Sequence, residues 1–90
     1  MGHTIRDKAK LLARVHRIAG QCDAIARALE AEDDCSTTLH LIAGARGAMN
    51  GLMAEVLEQH VVAHVLNGVT FRDRNAAADQ LVDVVRTYLK

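Results

Sequence analysis

The sequence predicts an all-α fold, a three-helix protomer with a long central helix, and three observations predict it. The chain contains no proline, so no position forbids a helix interior. Half of its residues are hydrophobic and only 2% are aromatic, a balance that favours helices packed on helices. Apolar residues also recur at steps of three and four through three separate stretches, the period of an amphipathic helix.

Thr4 followed by Asp7 reads as a capping box, with Asp in place of the usual Glu, and opens a first helix that runs to about Leu29. Leu11, Val15, Ile18, Cys22, Ile25 and Leu29 alternate four-residue and three-residue steps, the seam of a helix packed lengthwise on another. On a different stripe Arg6, Lys10, Arg14 and Arg17 stand one turn apart, so the helix carries an apolar face and a basic one. Glu30 to Asp34 is a polar break in which Asp33 or Asp34 can cap a second helix starting near Cys35. Leu39, Ile42, Met49, Leu52, Met53, Val56, Leu57 and Val61 carry the helical period as far as Val65. That makes roughly 30 residues, or about 45 Å. Asn67-Gly68 is a stop signal. A third, shorter helix follows, with Asp73 or Asn75 as cap and Leu81, Val84, Val85 and Leu89 as its buried stripe. With no repeat or linker, residues 1–90 are expected to form a single domain.

Ninety residues bury only a thin core, so self-association is expected. Cys22 and Cys35, in a chain with no signal-peptide pattern and no long apolar run, point to a reducing cytoplasm and away from a membrane. Net charge is zero but unevenly spread. Residues 1–20 carry Arg6, Lys8, Lys10, Arg14 and Arg17 against Asp7, whereas residues 31–66 carry Arg46 against Glu32, Asp33, Asp34, Glu55 and Glu58. Such asymmetry draws a polyanion to one end of the molecule.

His60 and His64 lie one helical turn apart, the spacing that lets two imidazoles hold one metal ion, although such pairs are more often solvent-facing. Cys35 lies on the same predicted helix about 37 Å away, too far to share an ion with His60 inside one chain. In two such helices crossing antiparallel near residues 47–50, residue 35 of one lies opposite residue 60 or 64 of the other. That centre falls in Gly44-Ala45-Arg46-Gly47-Ala48-Met49-Asn50-Gly51, where small residues permit close backbone approach. Ligand positions and glycines thus ask for the same antiparallel dimer. His3, just before the first helix, can fold over such a site, with backbone amides or the terminal amine as further ligands. His16 and His40 lack chelating partners in sequence and read as structural or surface histidines. Cys22, on the apolar seam, reads as a buried core residue. Met49 and Met53 fall at core spacing.

Read together, His3-Thr4-Ile5-Arg6-Asp7-Lys8, Arg14, Gly20-Gln21, Cys35, Arg46-Gly47-Ala48, Asn50-Gly51-Leu52-Met53, Glu55-Val56, His60 and Tyr88-Leu89-Lys90 resemble the copper-sensitive operon repressor family, and within it the nickel- and cobalt-responsive RcnR branch. The resemblance implies three-helix protomers that form dimers and then disc-shaped tetramers, repressing an efflux operon until the effector binds. It places the His, Cys, His, His ligand pattern of the nickel and cobalt branch on His3, Cys35, His60 and His64. The copper(I) branch usually has a second cysteine where this chain has His64. The formaldehyde branch typically has proline at position 2 and glutamate at position 64, where this chain has Gly2 and His64. Aldehyde crosslinking at Cys35 is the alternative reading. One thiolate and three imidazoles suit nickel(II) or cobalt(II), and zinc(II) is admitted by the same donors.

No zinc finger or helix-turn-helix is visible, so Arg6, Lys8, Lys10, Arg14 and Arg17, joined by Arg46, are expected to contact operator DNA through its phosphates and shape. An enzyme is not expected, nor a small organic substrate, because the chain offers little for a substrate pocket. The reading is therefore a repressor that binds operator DNA when metal-free and releases it on binding nickel or cobalt.

Overall fold

The computed structural model describes the backbone of residues 2–88 and the side chains of residues 7–88. The order is α1 (Gly2–Glu30), α2 (Cys35–His60), a π-helical turn (Val61–Leu66) that prolongs α2, and α3 (Phe71–Tyr88). The expected three-helix, all-α architecture is observed, with no strand among the described residues. Helix α1 already includes Thr4, two residues inside its start at Gly2, so the expected capping box is not where the helix begins. Leu89, expected on the buried stripe of α3, lies outside the described residues.

The turn between α1 and α2 is set by backbone chemistry. Asp33 N–H donates to the Ala28 carbonyl (3.0 Å) and Glu32 N–H to the Leu29 carbonyl (3.1 Å), the paired bonds of a Schellman end. Glu32 takes the left-handed conformation usually given to glycine, at φ 55°. Asp34 then caps α2 by accepting from the Thr37 N–H at 2.9 Å. These hydrogen bonds to the ionised form hold the Asp34 carboxyl below its ordinary value of 3.8. Helix α3 is capped by neither Asp73 nor Asn75. Thr70 accepts from the Asp73 N–H at 3.0 Å, which puts Asp73 in the third helical position.

At Val61 the hydrogen-bond ladder widens to a π register, and Asn67 N–H closes it on the Val62 carbonyl at 3.1 Å. The chain then turns at Gly68. A Cβ there would stand 2.7 Å from the His64 carbonyl oxygen and would also strike Arg74, so close packing, not backbone angle, demands glycine. Helix α3 returns along the π turn, with Ala77 buried against it.

The protomer is a slab of 55 × 29 × 13 Å. Its thickness is that of one helix, about 10–12 Å. Its radius of gyration is 17.1 Å, where a compact chain of this length would have about 12 Å. Among the described hydrophobic residues only Ile18, Ala28 and Ala77 are buried. The expected α1 seam splits in two. Leu11, Ile18 and Ile25 turn toward α2, while Val15, Cys22 and Leu29 are exposed. Cys22 is therefore not the buried core residue it was expected to be. On α2 and its π-helical extension, Leu52, Met53, Leu57 and Val61 are half-buried, whereas Leu39 (62% exposed), Ile42 (44%), Met49 (49%) and Val56 (45%) are open. At about 100° per residue, the open stripes of α1 and α2 lie on the same side of the hairpin. A single helical layer with one apolar face cannot enclose a core by itself.

Candidate metal centre and nucleic-acid surface

His60 closes α2 and is half-buried under α3, with its Nε2 3.0 Å from the Ala77 carbonyl oxygen. A carbonyl only accepts, so Nε2 is the donor, and in the neutral imidazole Nδ1 then keeps the lone pair that a metal ion needs. The bond that orients this imidazole comes from α3, 17 residues along the chain. His64 stands in the π turn, its ring centroid 5.2 Å from that of His60 at an interplanar angle of 48°. The two line an open cleft of about 490 Å³ with Asn67, Asp73, Ala77 and Gln80. The widened turn therefore begins directly after His60 and carries His64, and π turns are frequent at functional sites.

Cys35 begins α2 and is exposed. Helical rise puts it about 37 Å from His60. Among the described residues no three His, Cys, Asp or Glu side chains of one protomer come together to hold a metal ion. The side chains of His3 and Arg6 lie outside the described residues. His16 is exposed, and His40, also exposed, donates from Nδ1 to the Ser36 carbonyl at 3.0 Å.

Of the basic residues, Lys8, Lys10 and Arg17 are exposed and Arg14 is partly covered. Arg14 Nε is 2.8 Å from Glu55 Oε2, and Lys10 Nζ is 3.5 Å from Glu55 Oε1. The Arg14 guanidinium crosses α2 over Gly51, where a Cβ would sit 3.1 Å from Nη1. Gly44 faces Gln21 of α1 at 3.9 Å, while Gly47 meets nothing. Within the protomer, only Gly51 of the three glycines read from the sequence as a crossing point makes room for an α1 side chain, because at Gly44 a Cβ would be in ordinary contact. Arg46 is exposed but stands in line with Ile42 and Met49, at steps of four and three, away from the face that carries Arg14. The Glu55 ion pairs were not legible in the sequence, because they join helices that are 41 positions apart at Arg14 and Glu55.

Residues 7–87 match the family model described as metal-sensitive transcriptional repressor. The chain belongs to that family. As a member of the metal-sensitive transcriptional repressors it is a regulator, not an enzyme. It is similar over its whole length, and that of the relative, to the transcriptional repressor RcnR of Salmonella paratyphi B (strain ATCC BAA-1250 / SPB7), at 40% identity. A protein of Serratia marcescens described as an uncharacterized protein in the bioA 5′ region is 52% identical, again over the full length of both chains. Among solved structures, a glutamate-to-histidine variant of the formaldehyde-responsive regulator FrmR from Salmonella enterica serovar Typhimurium superposes with a TM-score of 0.85. The identity is 40%, over 92% of this chain and 94% of that one. No helix among the described residues of this repressor is long and apolar enough to cross a membrane.

Proposed function

We propose that this repressor binds operator DNA when metal-free and releases it when nickel(II) or cobalt(II) is held by His3, Cys35, His60 and His64, relieving repression of metal efflux in the cytoplasm. The observation that carries the reading is one stripe of α2, exposed along most of its length and half-buried at Met53 and His60. Cys35, Leu39, Ile42, Arg46, Met49, Met53, Val56 and His60 follow one another at alternating steps of four and three. Reversed, the steps are the same. A second copy laid antiparallel on this stripe sets Leu39 against Val56, Ile42 against Met53 and Cys35 against His60, and closes two equivalent sites between subunits. Arg46 then faces Met49 near the two-fold axis and belongs to the interface, leaving Arg6, Lys8, Lys10, Arg14 and Arg17 for DNA phosphates. Pairs of dimers complete a tetramer.

The residues suit such an ion. His60 offers Nδ1 because Ala77 occupies Nε2, Cys35 is an accessible thiol, and His64 is beside His60. One sulfur and three imidazole nitrogens form a borderline donor set that nickel(II), cobalt(II) and zinc(II) all accept. Recruitment of His3 and nearby amides raises coordination toward six, which separates nickel and cobalt from tetrahedral zinc. Protons compete for the thiolate and the imidazoles, so affinity for the effector falls as pH falls. Regulation is a linkage in which the conformation with the better-formed sites binds DNA less well. A coupling of about 1–3 kcal/mol gives a 5- to 150-fold change in operator affinity.

The second reading, a formaldehyde-responsive repressor with Cys35 as the reactive residue, is favoured by the likeness to FrmR and by the exposure of that thiol. Parallel titration of a protein–operator complex with nickel(II), cobalt(II), zinc(II), copper(I) and formaldehyde decides between them. Release by nickel or cobalt that a chelator reverses supports the first. Release by formaldehyde in the presence of chelator supports the second.

A further inference from the structure

We infer that Glu55 is a positioning residue for DNA binding, holding Arg14 so that its free guanidinium edge meets a backbone phosphate. The inference rests on the reading of the α1 basic stripe as the DNA surface. A carboxylate beside a DNA-facing arginine has two opposite consequences. It can compete with phosphate and weaken binding, or it can fix the side chain and strengthen it.

The geometry favours the second. Glu55 is only 17% exposed and Arg14 36% exposed, so the carboxylate lies beneath the guanidinium and is poorly placed to repel a strand approaching from solvent. The 2.8 Å ion-pair contact lies at Nε of Arg14 but is not aligned as a hydrogen bond, since Glu55 Oε2 is buried without a hydrogen-bond partner, so charge attraction holds the pair. A guanidinium has five N–H groups, and a carboxylate on the Nε side leaves the others for phosphate oxygens. Gly51, one turn before Glu55, has no Cβ to obstruct the guanidinium where Nη1 crosses the helix. Arg14 and Arg17 also line a cleft of about 240 Å³ with Ile18, Gln21 and Ala48. There Gln21 Oε1 is buried without a hydrogen-bond partner. Lys10, 70% exposed and 3.5 Å from Glu55, is held more loosely and adds charge without fixed direction.

The test is a double-mutant cycle on operator affinity with the metal-free, full-length protein: Glu55→Ala, Arg14→Ala and the pair together, with Glu55→Gln as a near-isosteric control. Thermal melts establish that each variant folds. Positioning predicts that Glu55→Ala weakens DNA binding roughly 2- to 12-fold for each engaged Arg14, the cost of ordering one long side chain, although the protein becomes more positive. It also predicts that the double variant binds no worse than Arg14→Ala alone, and that Glu55→Gln keeps part of the affinity. Tighter binding by Glu55→Ala, or losses that add fully in the double variant, would overturn the inference while leaving the DNA surface intact. An Arg14→Ala protein that binds the operator as well as the parent would instead overturn the underlying reading of that surface.

Discussion

Cys35 and His60 stand at the two ends of the 26-residue helix α2, on one stripe of its surface. A thiol and an imidazole so placed cannot meet within a protomer, but in an antiparallel pair each meets the other's counterpart. The arrangement predicts complementation. Cys35→Ala and His60→Ala proteins each lack the paired site, yet subunits of the two mixed in one oligomer restore one intact site per heterodimer. Cobalt(II) titration, followed by thiolate-to-cobalt charge-transfer absorption, measures this. Failure of the mixed protein to regain the band would rule out the intersubunit site.

Ile42, 44% exposed in the protomer, lies on the proposed seam opposite Met53 of the second copy. Replacing it with Asp puts a carboxylate into that interface on both sides of the two-fold, at a cost of several kcal/mol. Sedimentation should show the oligomer dissociating at concentrations where the parent stays assembled. An unchanged sedimentation coefficient would mean that another face makes the dimer.

The Asp34 cap carries a pH signature. Its carboxyl titrates below the ordinary 3.8 because the ionised form accepts from Thr37, so the cap contributes stability above that pH and loses it as pH falls through the lowered value. Asp34→Asn keeps an acceptor but no charge. The stability gap between parent and variant in denaturant titrations should be constant above pH 3.8 and close as pH drops beneath it.

Glu32 holds a left-handed conformation that disfavours any side chain with a Cβ, at φ 55°. Glu32→Gly should therefore stabilise the protein by about 0.5–1 kcal/mol, which urea denaturation can resolve. A destabilised variant would show that the glutamate side chain makes a compensating contribution.

Gly68→Ala has the opposite effect. The new Cβ would press on the His64 carbonyl at 2.7 Å, so the turn must shift. We expect a loss of about 1–3 kcal/mol in stability, typical of overpacking, and weaker cobalt binding as His64 moves with its backbone. Thermal melting and cobalt titration would show the two effects together. Weaker binding without destabilisation would argue against the steric cause.

Much of the architecture was legible because helical periodicity is local. The polar break at Glu30 to Asp34 and the stop at Asn67-Gly68 occur where residue type alone indicates them, whereas Asp33 and Asp34 are equal cap types and the chain path selects Asp34. Thr70, Asp73 and Asn75 are all good cap types, and only the chain path selects Thr70 among them. The four-three alternation of α1 cannot say which half faces the neighbouring helix, and Cys22 lies on the outer half.

The sequence by itself determined that this chain is three helices, that α2 is long, and that Cys35 and His60 are too far apart on it to share an ion. Those conclusions depend on rise per residue and period, which every helix shares. Only the tertiary structure decided which nitrogen of His60 is free, why Gly51 is small, and where the charges of Lys10 and Arg14 are held. Each depends on a contact between helices distant in sequence: Ala77 with His60, and Glu55 with Arg14 and Lys10. Such contacts are set by how two helical surfaces are turned toward each other, and the period of either helix alone carries no record of that angle.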